Sequence, residues 1–301
     1  MTLKQFDATE VQDYWRRLGV TWARDHRHTD PDAFAQVCFP GAPRWMNEYE
    51  AQQQRNVYQY LLGLVPATSE RMAALDIGCG ASRWCAILAD AGFKTTGIDI
   101  QPELIFMSQT RRPDITFHCA DIASFTTETS FALLSSVTVI QHNPLHDQKL
   151  IFQRLADLSA TDAYFVMLEN THDHAAHVWS HSVDEWLQLA KEAGFKEVTI
   201  RKYDYNPMMS LLKKVKRRLA TPVSVKNEQT INRMLLDASG DASGLNRIVK
   251  KLFNVCAFVA NRFDRIIEPT LVRFQIRASS THVGILFRYT KPSTAVREHN
   301  A

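Results

Sequence analysis

Ala74-Leu-Asp-Ile-Gly-Cys-Gly-Ala-Ser82 decides the reading of this 301-residue chain. An apolar strand runs into Gly-x-Gly, and a helix is predicted to open at about Arg83. Glycines let the backbone turn tightly and approach a ligand with no Cβ in the way. The helix start adds unsatisfied N–H groups and a positive dipole end. A dinucleotide site would place a third glycine where Arg83 stands, because strand and helix pack closely there. The bulky cation weighs against a nicotinamide dehydrogenase.

Outward from this turn, the next strand ends in Gly97-Ile-Asp99-Ile100, 23 residues after Asp76. A carboxylate at a second strand tip is placed to accept both ribose hydroxyls of an adenosine. The third strand ends in Cys119-Ala-Asp121-Ile122, where another carboxylate meets an adenine amino group. Apolar runs at 72–77, 95–100, 115–120, 131–140, 164–168 and 197–203 alternate with predicted helices at 84–91, 102–109, 147–158 and 183–193. Strands spaced by helices imply a mostly parallel sheet covered on both faces. Gly92 and Gly194 sit where a helix C′ glycine belongs.

This constellation resembles the class I S-adenosylmethionine-dependent methyltransferases over roughly residues 72–204, and Leu75-Asp-Ile-Gly-Cys-Gly80 is similar to their glycine-rich motif. The resemblance implies an α/β, Rossmann-like, seven-stranded, mostly parallel sheet with an antiparallel last strand. It implies S-adenosylmethionine as cofactor, lined by Asp76, Gly78, Gly80, Ala81, Asp99, Ile100, Asp121, Ile122 and Thr138. Val198–Tyr203 and His282–Tyr289 would supply the final antiparallel pair. The roughly 75 residues between them depart from a usual hairpin loop. The implied organisation is an N-terminal helical lid (1–65), the cofactor domain (66–206), a basic helical insertion or cap (207–271), final strands (272–291) and a tail (292–301).

Methyl transfer from a sulfonium is an in-line displacement, so the protein mainly aligns the acceptor and takes a proton when that acceptor is a hydroxyl. His142, in Thr138-Val-Ile-Gln-His142 after the fourth strand, is the candidate catalytic base; its alternative role is to shape the cofactor pocket. His172, His177 and His181 follow the fifth strand and are candidate acceptor contacts. The i, i+4 spacing of His177 and His181 also suits a metal, but the displacement needs none, and no metal is expected. Trp45 and Tyr49 are candidate acceptor contacts on the lid, or else aromatics packed on the core. The expected reaction is O-methylation of a sugar, glycan or specialised metabolite. Alternatives are N- or C-methylation of a small molecule or quinone, and a non-catalytic cofactor-binding or assembly protein.

The composition, 45% hydrophobic and 22% charged, is that of a globular chain. The five cysteines are scattered with no C-x-x-C pair, which argues against a disulfide framework and fits a reducing cytoplasm. The first ten residues carry no apolar signal segment. The net charge of +3 hides an asymmetry: residues 201–301 hold 19 Lys+Arg against 7 Asp+Glu. Residues 208–219 read as a basic amphipathic helix, with Met208, Leu211, Leu212, Val215 and Leu219 forming its apolar stripe, and 245–259 carry a second stripe. The expected partners are a small-molecule or glycan acceptor and, through 208–219, an anionic membrane surface or lipid-linked substrate at its inner face. A helical cap packed on the sheet is the other reading. Nucleic acid is not expected, because no aromatics interleave with the basic run.

Overall fold

A run of short apolar segments without lateral partners would leave its backbone N–H and C=O groups unpaired, so the segments gather into one sheet. The computed structural model describes residues 7–25, 44–66, 72–171, 177–203, 207–208, 211, 255–256, 258–260, 262–267, 270 and 282–290. The chain divides into two compact units, residues 1–34, 54–203 and 282–301 in one, residues 35–53 and 204–281 in the other.

In chain order the elements are α1 (Ala8–Asp25), α2 (Arg44–Leu62), β1 (Ala73–Ile77), α3 (Arg83–Asp90), β2 (Lys94–Asp99), α4 (Pro102–Arg111), β3 (Thr116–Cys119) and β4 (Phe131–Val137). A 3-10 turn (Ile140–His142) follows, then α5 (Leu145–Leu158), β5 (Ser159–Asn170), α6 (Val183–Glu192), β6 (Phe195–Tyr203) and β7 (His282–Tyr289). The seven strands lie in the order β3-β2-β1-β4-β5-β7-β6. The first five pair in parallel, while β7 runs antiparallel to both β5 and β6. This is the expected Rossmann-like sheet.

Its two faces are dressed differently. On one, Phe152, Phe165, Trp186, Phe195 and Phe287 pack with Leu134 and Ile285. On the other, Tyr58 and Leu61 of α2 and Trp84 and Leu88 of α3 pack on Leu133, Val166 and Leu286. Each large side chain buried this way contributes roughly 1.5–3 kcal/mol. A capping box at Ser182 and Glu185 starts α6, and Trp186 Nε1 donates to the Asn170 carbonyl at 3.0 Å, pinning the helix to the end of β5.

Two boundaries differ from the sequence reading. The run predicted as strand to Ile140 stops at Val137. There Thr138 adopts φ 56° with its N–H on the Leu168 carbonyl, and the chain coils into the 3-10 turn. The fifth strand is longer than the apolar run 164–168, because ladder pairing with β4 and β7 carries it through polar residues. Of the predicted basic helix at 208–219, only residues 208 and 211 are described, and these are helical; the strand expected at 272–276 lies outside the described residues.

Candidate cofactor and acceptor site

The turn between β1 and α3 is fixed from several sides. Cys79 N–H donates to the Ile98 carbonyl at 2.9 Å, and the Ser82 N–H to the Cys79 carbonyl at 2.9 Å. Ser108 of α4 donates to the Gly80 carbonyl at 3.2 Å. Gly78 has φ 63°, and a Cβ built there would lie 2.4 Å from Val139 Cγ2, so only glycine lets this turn touch the loop after β4. Gly80 has φ 52°, and a Cβ there would meet nothing within 4 Å, so this backbone faces open space. Ala81 is buried, and Ser82 opens α3 in a left-handed conformation.

Two carboxylates lie under this turn. Asp99, at the tip of β2, accepts the Gly80 N–H at 2.8 Å and the Gln101 N–H at 2.9 Å. Burial pushes its carboxyl up to about 6, against the pull of those N–H groups. Asp76 is almost wholly buried, and burial pushes it up to about 7, with the nearby Ser135 hydroxyl and the Cys85 thiol drawing it down. Its Oδ2 takes that thiol at 3.4 Å, and its Oδ1 is buried without a hydrogen bond of good geometry. Asp121 sits half-buried at the end of β3, its Oδ1 on the Ala123 N–H at 2.8 Å. Ile100 stands exposed at the β2 tip, whereas Ile122 is buried in the main core.

The second half of the site is the loop after β4, and its organiser is a residue that the sequence reading did not single out. Glu169, fully buried near the end of β5, accepts the backbone N–H of Ile140 at 3.0 Å, Val139 at 3.2 Å and Gln141 at 3.3 Å. One carboxylate thus gathers the amides that open the 3-10 turn, the place where a helical turn favours negative charge. Burial pushes Glu169 up to about 8, with the three amides opposing. Gln141 extends the lattice: its Oε1 accepts the Asn170 N–H at 2.6 Å, and its Nε2 lies 3.3 Å from His142 Nε2.

His142 Nδ1 is 3.0 Å from the His177 carbonyl. A carbonyl only accepts, so Nδ1 carries the proton and Nε2, the unprotonated nitrogen, faces the Gln141 amide. Aromatic rings close around it. His177 stacks on His142 with centroids 5.3 Å apart, and Tyr14 of α1 stacks on His177 at 4.3 Å. Trp15 meets His142 edge-on at 4.6 Å. The helix carrying Tyr14 and Trp15 also packs against α4.

The structure therefore brings His142 and His177 together but leads His181 elsewhere. His181 Nε2 donates to Gln148 Oε1 at 2.8 Å, and its ring packs edge-on against Trp186. Trp45 and Tyr49 lie on α2, their side chains outside the described residues, and His172 also lies outside them. Among the described residues no group of three His, Cys, Asp or Glu side chains is arranged to hold a metal. Nothing in the sequence marks Tyr14 and Trp15 for this position; tertiary packing gives it to them.

Comparison with known proteins agrees with this geometry. Residues 74–162 match the family described as "Methyltransferase domain". The chain is 31% identical over 108 residues to a trans-aconitate 2-methyltransferase of Methylobacterium radiotolerans, covering 35% of this chain and 40% of that protein's length. The fold is similar to that of magnesium protoporphyrin IX methyltransferase from Synechocystis PCC 6803 with bound S-adenosylmethionine: TM-score 0.50, 18% identity, 68% of this chain and 93% of that one. It is also similar to a 1,6-didemethyltoxoflavin-N1-methyltransferase from Burkholderia thailandensis, with TM-score 0.53, 13% identity, and coverage of 96% and 93%. Residues 74–162 thus match a methyltransferase domain, and the sheet has the fold of these S-adenosylmethionine-dependent methyltransferases. The residues present are compatible with that cofactor: a carboxylate stands at the tip of β2 beside the glycine turn, and the Gly80 backbone is open to approach.

Proposed function

We propose that the chain is an S-adenosylmethionine-dependent methyltransferase that methylates a hydroxyl of a sugar, glycan or specialised metabolite, with His142 as base. The observation that carries this reading is the His142 ring: Nδ1–H tied to a backbone carbonyl, which leaves Nε2 unprotonated, on a loop that touches the glycine turn through Val139. When bound, the cofactor supplies a methyl group on an electrophilic sulfur. Asp99 and Asp121 would hold its adenosine end and Asp76 its cationic end, with Gly78, Gly80, Ala81, Ile100, Ile122 and Thr138 forming the surround. His142 Nε2 would take the proton of the acceptor hydroxyl as that oxygen is methylated. Glu169 touches none of the reacting atoms; it positions the loop that carries His142.

In this reading residues 1–65 serve as a lid and 207–271 as a cap, and Trp45, Tyr49, His172 and His177 remain the candidate acceptor contacts. The protein works in the cytoplasm, with 208–219 meeting the inner membrane face or a lipid-linked acceptor. The four-ring cluster of Tyr14, Trp15, His142 and His177 favours one alternative, methylation of a ring nitrogen on a flat heteroaromatic acceptor. An acceptor screen with a labelled methyl donor, followed by product analysis, separates oxygen from nitrogen. With a hydroxyl acceptor in hand, His142→Ala is expected to cut turnover about 100-fold or more and to remove the acid limb of the pH–rate profile, within the usual range for a general base. Unchanged turnover across pH, with cofactor still bound, would refute the base assignment.

A further inference from the structure

The helical residues 255–256, 258–260 and 262–267 belong to the second compact unit and show an inverted amphipathic pattern. Val255, Phe258, Val259, Phe263 and Ile266 recur at three- and four-residue intervals, so they share one face of a helix. That face is outward: Val259 is 61% exposed and Ile266 75%. The opposite side holds Ala260 and Asp264, both buried, and Asp264 Oδ1 accepts the Met208 N–H at 2.9 Å within the same unit. A soluble helix normally turns such a stripe to its core and its acid to solvent.

The charge around the stripe indicates what covers it. Arg262 lies within the apolar arc, its guanidinium 5.1 Å from the Phe258 ring centroid, and Arg265 is exposed on its flank. Among the described residues of this helix both outward charges are arginines. The surrounding segment 204–281 carries 14 Lys+Arg against 6 Asp+Glu. A second copy of this chain would bring the same excess of positive charge to the contact, whereas an anionic lipid surface complements it. Among the described residues no helix is long and apolar enough to cross a membrane.

We propose that the outward face formed by Val255, Phe258, Val259, Phe263 and Ile266, with Arg262 and Arg265, docks the protein in the plane of an anionic phospholipid surface. The apolar side chains enter the acyl boundary while the arginines meet headgroup phosphates, the geometry of an interfacial helix. This proposal stands apart from the methyltransferase reading and does not depend on it.

The test is co-sedimentation of the full chain with phosphatidylglycerol-containing vesicles, with pure phosphatidylcholine vesicles in parallel and salt varied. The expected result is binding to the anionic vesicles only, weakened at high salt. A Phe263→Ser/Ile266→Ser double variant, altering side chains already exposed, is expected to lose at least about tenfold in vesicle affinity. Arg262→Ser should also weaken binding and flatten its salt dependence. S-adenosylhomocysteine affinity of each variant, measured by calorimetry, should match wild type, which shows the fold intact and keeps this result separate from the cofactor assignment. No vesicle binding, or binding the double variant retains, overturns the proposal. So does a concentration-dependent dimer that the double variant abolishes, which would assign the face to a second copy.

Discussion

At the scale of single residues, the site depends on carboxylates that burial makes reluctant to ionise. Glu169 holds three backbone amides and, through them, the loop that ends in His142. Replacing it with Gln puts an NH2 group where one oxygen accepted, so at least one buried amide loses its partner, at a cost of about 1–3 kcal/mol. Glu169→Gln is therefore expected to lower turnover at least tenfold while leaving S-adenosylhomocysteine affinity within about threefold of wild type. Glu169→Asp, which keeps the carboxylate, should recover part of the rate. Steady-state kinetics beside calorimetry checks this, and equal losses in rate and cofactor affinity would show that Glu169 does no more than support the fold. The sequence could not announce this residue. Glu169 reads there as one acid at the end of an apolar run, and only the register of β5 beside β4 turns it toward the amides at 139–141. The positions of Asp99 and Asp121 at strand ends were legible, because one-dimensional spacing records where an apolar run stops.

At the scale of elements, the contact between the β1–α3 turn and the loop after β4 joins the two halves of the site. Gly78 makes that contact with positive φ and no room for a methyl group beside Val139. Gly78→Ala combines a disfavoured backbone with a clash, each costing roughly 1–3 kcal/mol. The expected outcome is a fall in denaturation midpoint together with weakened cofactor binding, and Val139→Ala in the same chain should restore part of both. If Gly78→Ala alone matches wild type, the close approach is not needed. The glycine turn was predictable because its conformational demand is written as glycine. The end of β4 was not, since Thr138 and the run after it look like strand, yet the Glu169 carboxylate takes the amides of Val139, Ile140 and Gln141. His181 shows the same limit: its i, i+4 relation to His177 suggested shared work, but Gln148 and Trp186 claim its ring.

At the scale of the whole molecule, alternating strands and helices implied the sheet in advance, whereas the amphipathic stripes between β6 and β7 do not say which surface they meet. The buried carboxylates also set a pH response. Asp76, Asp99 and Glu169 titrate at about 7, about 6 and about 8 in the fold, above their ordinary values of 3.8, 3.8 and 4.5. Between the ordinary and the folded value, the native state keeps a proton that the unfolded chain has released, so each rise in pH favours unfolding. The stability they favour is complete below about pH 4 and lost as pH rises through about 8, at up to ~1.4 kcal/mol per pH unit for each group. The cofactor-free protein should show a lower denaturant midpoint at pH 8 than at pH 5.5, and Asp76→Asn should flatten the change below pH 7. A midpoint that rises over that interval would contradict the burial argument.

The central claim is that the glycine turn and the strand-tip acids converge on one adenosine-bearing sulfonium compound. Isothermal titration of the folded chain with S-adenosylhomocysteine tests it most directly. The account predicts saturable binding to a single site, weakened at least tenfold by Asp99→Ala. An absence of binding heat across buffers and temperatures, with the wild-type chain folded, would contradict it.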